Sequence, residues 1–308
     1  MKFVVTGGAG FIGSNLAEEL AEMGEVTIID DLSSGRLENI SDLLDKNNVN
    51  FIRESIANLT SLKAHFADAD CVFHQAAIAS VQRSVEDPLL IDEVNARGTL
   101  NVLIAARDCG VKKVICASSS AVYGDSPELP KREDMSPCPL SPYAVSKLTG
   151  EYYCKVFSEI YGIDTVSLRY FNVYGPRQDP SSEYAAVIPK FIKILLKKEP
   201  PVIFGDGTQT RDFVFVEDVV RANILAMKHG NVRGVFNVAG GKKITINELL
   251  NTIMEVVGIE LDPIHTEPRA GDIKDSVADI SLAKNVLGYE PAFDLKEGLS
   301  RTINWLRE

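Results

Sequence analysis

The segment Thr6-Gly7-Gly8-Ala9-Gly10-Phe11-Ile12-Gly13 limits the possible folds of this chain more than any other. It follows an apolar run, Phe3-Val4-Val5, and leads into Ile12, Leu16 and Leu20, which mark one face of a helix that Gly24 can end. Strand, glycine turn and helix in this order suit a turn that receives a dinucleotide pyrophosphate. Gly7 permits the tight turn, Gly10 lets backbone approach the phosphates, and Gly13 lets helix pack on strand. The helix N-terminus then offers free N–H groups and the positive end of its dipole. A glycine turn alone is weak evidence, because turns collect glycine for structural reasons. Asp30 strengthens it. It ends the second strand, where a carboxylate receives an adenosine ribose hydroxyl, and its charge repels a 2′-phosphate, which favours NAD over NADP.

Further strands are expected at Val26–Ile29, Val49–Ile52, Cys71–Phe73, Val114–Cys116, Thr165–Leu168 and Val235–Val238. They are β-branched and alternate little, as strands buried on both faces do. Asp87-Pro88 opens a helix expected to run to Gly110, and Ser141-Pro142 opens one that closes at Gly162. Alternating strands and helices predict an α/β fold with a doubly wound parallel sheet of the Rossmann kind. After Asn172 prolines and glycines multiply. One helix is expected at about 187–198, another after the capping box Thr245-x-x-Glu248, and a last one through Leu299, Ile303 and Leu306. Residues 1–169 are expected to form the dinucleotide-binding domain, with a segment near 213–240 returning to it. The rest of 170–308 forms a smaller, partly interleaved substrate domain over the carboxyl edge of the sheet.

With 32 basic and 43 acidic residues, the net charge of −11 opposes nucleic acid and anionic membranes, so an anionic substrate needs a local cluster of Arg and Lys. Five scattered cysteines without a C-x-x-C pair and four histidines without ligand spacing predict neither disulfide scaffold nor metal site. No apolar run reaches membrane-spanning length and the first strand starts at Lys2, so a cytoplasmic protein is expected.

Tyr143 and Lys147 stand at i and i+4, neighbours on one helical face. A free phenol, with pKa about 10, is too weak a base at neutral pH, and a cation within reach lowers that value. The pair alone occurs often by chance. Its place after Ser118-Ser119-Ser120, at the end of a strand whose hydroxyls can bond a substrate oxygen, raises its weight.

Together the glycine turn, the serine run with Val122-Tyr123-Gly124, the Tyr-Lys pair and Arg169-Tyr170-Phe171-Asn172-Val173-Tyr174-Gly175 resemble the extended short-chain dehydrogenase/reductase family. The likeness spans the chain, including Gly205-Asp206-Gly207 to Arg211-Asp212-Phe213 and Arg269-Ala270-Gly271-Asp272. Within the family it is nearest the UDP-hexose 4-epimerases. Dehydratases and decarboxylating relatives carry a carboxylate just before Val-Tyr-Gly; here Ser119, Ser120 and Ala121 stand there. The resemblance implies Tyr143 as the base at the sugar C4 hydroxyl, Ser119 on the same oxygen, and Lys147 beside a retained NAD that takes and returns hydride. For NAD it implies Gly7, Gly10, Phe11, Ile12, Gly13, Asp30, Asp31, Ser34, Gly35, Ile56, Gln75, Ala76, Ala77, Asn95, Ser118, Tyr143, Lys147 and Tyr170. For a UDP-sugar it implies Ser119, Tyr143, Asn172, Val187, Phe204, Arg211, Arg269, Asp272 and Ser276. It also implies a homodimer through the helices at about 88–110 and 142–161.

Three departures stand out. Ser55-Ile56 replaces the Asp-Ile of many relatives, and His74–Ser80 lacks the lysine that in some epimerases reaches the cofactor. Ser276 falls where hexose-only epimerases often carry tyrosine, which leaves room for a 2-acetamido group as well as for plain hexoses. A reductase that releases its cofactor, a dehydratase-like enzyme and a non-catalytic dinucleotide sensor are the alternatives. The sensor has no need of Ser119, Tyr143 and Lys147.

Overall fold

The computed structural model describes residues 1–179, 187–268 and 274–307. Six strands come from the first 170 residues: β1 (Lys2–Thr6), β2 (Glu25–Asp30), β3 (Val49–Arg53), β4 (Cys71–His74), β5 (Lys113–Ser119) and β6 (Asp164–Tyr170). Shorter strands follow, β7 (Asn172–Tyr174), β8 (Val202–Phe204), β9 (Thr210–Arg211) and β10 (Phe213–Phe215), before β11 (Gly234–Val238), β12 (Ile244–Thr245) and β13 (Ile264–Thr266). Seven of them make one sheet in the order β11-β6-β5-β4-β1-β2-β3. Every pairing in it is parallel. This is the Rossmann-like α/β fold, and all seven strands expected from sequence lie in it.

The lack of alternation in those strands has its cause in the two layers of helices. Val5, Ile28, Phe73 and Ile115 pack on one face against Leu16 and Leu20 of helix Phe11–Ala21 and Val219 and Ala222 of helix Val216–Lys228. Val4, Ile29, Val72 and Val114 pack on the other against Leu62, Phe66, Leu103 and Phe157. The order of strands reverses between β1 and β4, so the connections diverge there and leave a crevice at the carboxyl ends.

Helix Pro142–Tyr161 has the expected limits. The Ser141 hydroxyl accepts the Ala144 N–H at 3.2 Å, Pro142 occupies the first turn, and Gly162 ends the helix at φ +72°. The helix expected from Pro88 to Gly110 is interrupted. Pro88–Ile91 and Gly98–Asp108 are joined by a wide turn, Asp92–Arg97, which holds one residue more than an α-helix would. Buried Asn95 in that turn accepts the Ile78 N–H at 2.8 Å and donates to the Ile78 carbonyl at 3.2 Å. A long-range contact thus overrides the local helical pattern. Helices Leu59–Phe66, Val81–Glu86, Val216–Lys228 and Ser281–Leu287 were not expected.

A second lobe is built where Ile188, Phe191 and Ile192 of Val187–Leu196 meet Leu249 and Ile253 of Ile246–Val257 and Leu299 and Ile303 of Leu295–Arg307. The chain passes from β10 through helix Val216–Lys228 into β11 of the sheet, then returns to this lobe. Asp212 fastens that exchange: its buried carboxylate accepts the N–H of Gly241 at 3.1 Å and of Ala278 at 3.0 Å.

At the carboxyl edge, His74 lies between the Thr6 and Thr99 hydroxyls at 2.8 and 2.9 Å. Burial, aided by the Lys147 charge, lowers its pKa to about 3. The unfolded chain therefore takes up a proton below about pH 6.5 that the folded one refuses, so stability is lost as pH falls from there toward 3. Urea unfolding at about pH 7.5 and 5.5 should show roughly 1.4 kcal/mol of loss attributable to this group. His74→Gln should be without that part of the decline.

Candidate functional site

Two adjoining cavities open along the carboxyl edge. The first, about 610 Å³, runs from the glycine turn past Asp30 to Tyr143 and Lys147. Gly7 adopts φ +70°, and a side chain there would begin 2.5 Å from the Ala76 nitrogen. A β-carbon on Gly13 would fall 2.1 Å from the Gly7 carbonyl oxygen. At Gly10 the only near contact is that same oxygen at 3.2 Å, so backbone remains accessible. Helix Phe11–Ala21 has no side-chain cap, which leaves its first N–H groups directed at the cavity end. This is a cradle for an anionic group.

Asp30 is buried at the far side. Its oxygens accept the N–H groups of Leu32 at 2.8 Å and Ala9 at 3.0 Å. Burial raises its pKa, and those two donors pull the other way. Gly35 does not line the cavity; a β-carbon there would strike the Asp30 carboxylate at 2.8 Å, so Gly35 acts by giving Asp30 room. Asp31, Ser34, Ile56, Ala76 and Ala77 line the cavity directly. Asn95 does not: its amide is spent on Ile78 and on the Ser146 hydroxyl, so it holds the wall from behind. Gln75 and Tyr170 share a bond at 3.2 Å and both meet Asn223 of helix Val216–Lys228.

The corner around Tyr143 lies where the cavities meet, since Ser118, Tyr143 and Tyr170 line both. Lys147 donates to the Ala117 carbonyl at 2.9 Å, with its nitrogen 5.9 Å from the centre of the Tyr143 ring. Burial brings its pKa down to about 8. Lys147 was expected to lower the phenol. Instead, burial raises Tyr143, and only the neighbouring Ser119 hydroxyl opposes it. With the lysine nitrogen 5.9 Å from the ring centre, desolvation of the phenolate sets the direction. Beneath the corner, Ser118 donates to Glu151, which holds Arg169 through two bonds at 2.7 and 2.8 Å, all of them buried.

The second cavity, about 680 Å³, takes Ser119, Asn172, Val187, Phe204 and Arg211 in its lining, with Lys190 and Gln209. Asn172 donates to the Asp212 carbonyl at 3.2 Å. No Asp or Glu is found among the described residues that line it. Ser276 is half-buried beyond Asp275, which accepts from Thr210, and does not line this cavity. Arg269 and Asp272 lie outside the described residues.

The family model described as the NAD dependent epimerase/dehydratase family matches residues 3–239. The chain belongs to this family. It is 42% identical over 311 residues to a UDP-glucose 4-epimerase of Mycolicibacterium smegmatis, covering 100% of this chain and 99% of that one. A solved UDP-N-acetylglucosamine 4-epimerase from Methanobrevibacter ruminantium, in complex with UDP-N-acetylmuramic acid, superposes with a TM-score of 0.96 at 46% identity. The match covers 99% of this chain and 98% of that one. The UDP-glucose 4-epimerase of Thermotoga maritima, solved with UDP-glucose, gives 0.94 at 41% identity over 100% and 99% of the two chains.

NAD is the cofactor of this epimerase/dehydratase family, and the first cavity fits it: a glycine cradle for the pyrophosphate and a buried carboxylate for a ribose. Asn223, Arg36 and Arg177 are not marked by the sequence alone. They come from a helix and two loops with no local pattern that marks them, and only folding brings them to the cavity and to Tyr170. Asp30→Asn should weaken NAD binding by roughly ten- to a hundredfold, as expected for loss of a hydrogen bond to a charged group. Titration calorimetry should also show a smaller preference for NAD over NADP in that variant.

Proposed function

We propose that this enzyme is a UDP-hexose 4-epimerase that interconverts UDP-glucose and UDP-galactose and accepts the 2-acetamido sugars as well. The observation that carries the reading is the shared wall. Tyr143 stands at the junction of the NAD cavity and a second cavity that has cations but no acid in its described lining. Arg211 and Lys190 answer the demand of a sugar diphosphate against a chain of net charge −11. Arg269 and Asp272 are further candidates for the diphosphate and the uridine ribose, and Val187 and Phe204 for the uracil. Elimination of water or decarboxylation would need a carboxylate beside Ser119, whereas redox at C4 needs one group that takes a proton and gives it back.

Bound NAD supplies a hydride acceptor that later returns the hydride. Tyr143 removes the C4 hydroxyl proton, Ser119 donates a hydrogen bond to the same oxygen, and the sugar becomes a 4-ketone. After the ketone presents its other face, Tyr143 returns the proton to the oxygen as C4 regains hydride. Because burial raises the phenol, its base form depends on positive charge in the corner. Lys147, held by the Ala117 carbonyl, stays cationic at neutral pH with a pKa of about 8. Relatives named for UDP-glucose and for UDP-N-acetylglucosamine support both substrate types.

We further propose a cytoplasmic homodimer. Val145, Tyr152, Val156 and Ile160 form an exposed apolar stripe on helix Pro142–Tyr161, with Val85 and Leu89 on the neighbouring helices. Surface of this kind marks an interface. The five free cysteines suit a reducing compartment.

Coupled assays with UDP-glucose and UDP-N-acetylglucosamine, without added NAD, should give turnover of both. Tyr143→Phe should retain NAD yet lose roughly 10²- to 10⁴-fold in rate; near-normal rates would remove Tyr143 as the base. In sedimentation velocity, Val156→Glu combined with Ile160→Glu should convert a dimer to a monomer. A dimer unmoved by the pair would place the interface elsewhere.

A further inference from the structure

An epimerase that returns its hydride must keep one dinucleotide through each turnover, yet His74–Ser80 offers no lysine to help hold it. The loop that follows β7 supplies another means. It reaches from the second lobe over helix Phe11–Ala21, where the Asn15 amide donates to the Pro176 carbonyl at 3.1 Å. One residue on, Arg177 adopts φ +69° and sets its guanidinium 2.8 Å from Glu18 of the same helix. Asp179 then pairs with Arg36 of the loop after β2. Arg36 is itself tied down, since its N–H donates to the Ala9 carbonyl in the glycine turn at 2.9 Å. Arg36, Arg177 and Asp179 all line the first cavity. The contacts form a continuous rim: glycine turn, Arg36, Asp179, Arg177, first helix.

We propose that the Arg36–Asp179 ion pair is a clasp joining the two lobes across the rim of the NAD cavity, and that it slows release of the cofactor. The proposal rests on the epimerase reading only for the reason why retention matters. Opening the rim requires the pair to part, because each partner stands on a loop anchored to a different side of the cavity. Arg177 and Asn15 fix the Asp179 side, and Ala9 fixes the Arg36 side. The side chains are 49% and 34% exposed, so water and salt screen their attraction. Its effect is therefore modest and sensitive to ionic strength.

The test is exchange of bound NAD against radiolabelled NAD in the holoenzyme, at roughly 0.05 and 0.5 M salt. Arg36→Gln and Asp179→Asn should each speed exchange about two- to fivefold at low salt and remove most of its salt dependence. The reversed pair, Arg36→Glu with Asp179→Arg, should restore slow exchange. Unchanged exchange in both single variants overturns the clasp. So does a reversed pair that exchanges as fast as the singles, because that result means Arg36 acts on the cofactor directly. Turnover of UDP-sugars is read separately: slow NAD exchange without epimerisation sinks the proposed activity and leaves the clasp standing.

Discussion

The constraint on which the cofactor cavity depends is backbone against backbone. The turn after β1 lies so near the end of β4 that a single β-carbon on Gly7 would begin 2.5 Å from the Ala76 nitrogen. A second such approach, at Gly13, seats the first helix on that turn. With side chains excluded from both places, the helix N-terminus meets the point where strand order reverses and its unbonded N–H groups open into the crevice. The cofactor cavity begins at this contact, because Gly7, Gly13 and Ala76 all line it. Stability and function are inseparable here, because the same absence of side chains serves packing and anion binding.

A different kind of constraint governs the corner around Tyr143, where polar groups are taken out of water. Buried ions are costly unless fully bonded. Glu151 meets that condition with two bonds to Arg169 and one from Ser118, and His74 remains neutral between two threonine hydroxyls. These groups join β1, β4, β5 and β6 to the helices behind them, including the helix that carries Tyr143 and Lys147. Burial also explains why neither Lys147 nor Tyr143 has its ordinary pKa, the lysine lying low and the phenol high.

Much of this was legible in the chain. The seven sheet strands stand out because burial on both faces demands continuous β-branched runs, and helix Pro142–Tyr161 carries its start signal in Ser141 and its stop signal in Gly162. The absence of a carboxylate beside Ser119, legible from residue type alone, favours redox at C4. The interrupted helix after Pro88 was not legible, because its cause is the Asn95 amide meeting backbone seventeen positions away at Ile78. Nor was helix Val216–Lys228, whose Asn223 reaches Tyr170 across 53 positions.

By itself the sequence determined the doubly wound sheet, the glycine turn with Asp30, and the presence of Ser119, Tyr143 and Lys147, since each depends on residue type at short spacing. Only the tertiary structure decided what those residues experience. It raised the phenol that the lysine was expected to lower, moved Asn95 and Gly35 from the cavity to its support, left Ser276 outside the second cavity's lining, and brought Arg36 to Asp179. The physical reason is the same throughout. Local spacing fixes which groups share a turn or a helical face, whereas desolvation, close approach and ion pairing depend on neighbours that are distant in sequence.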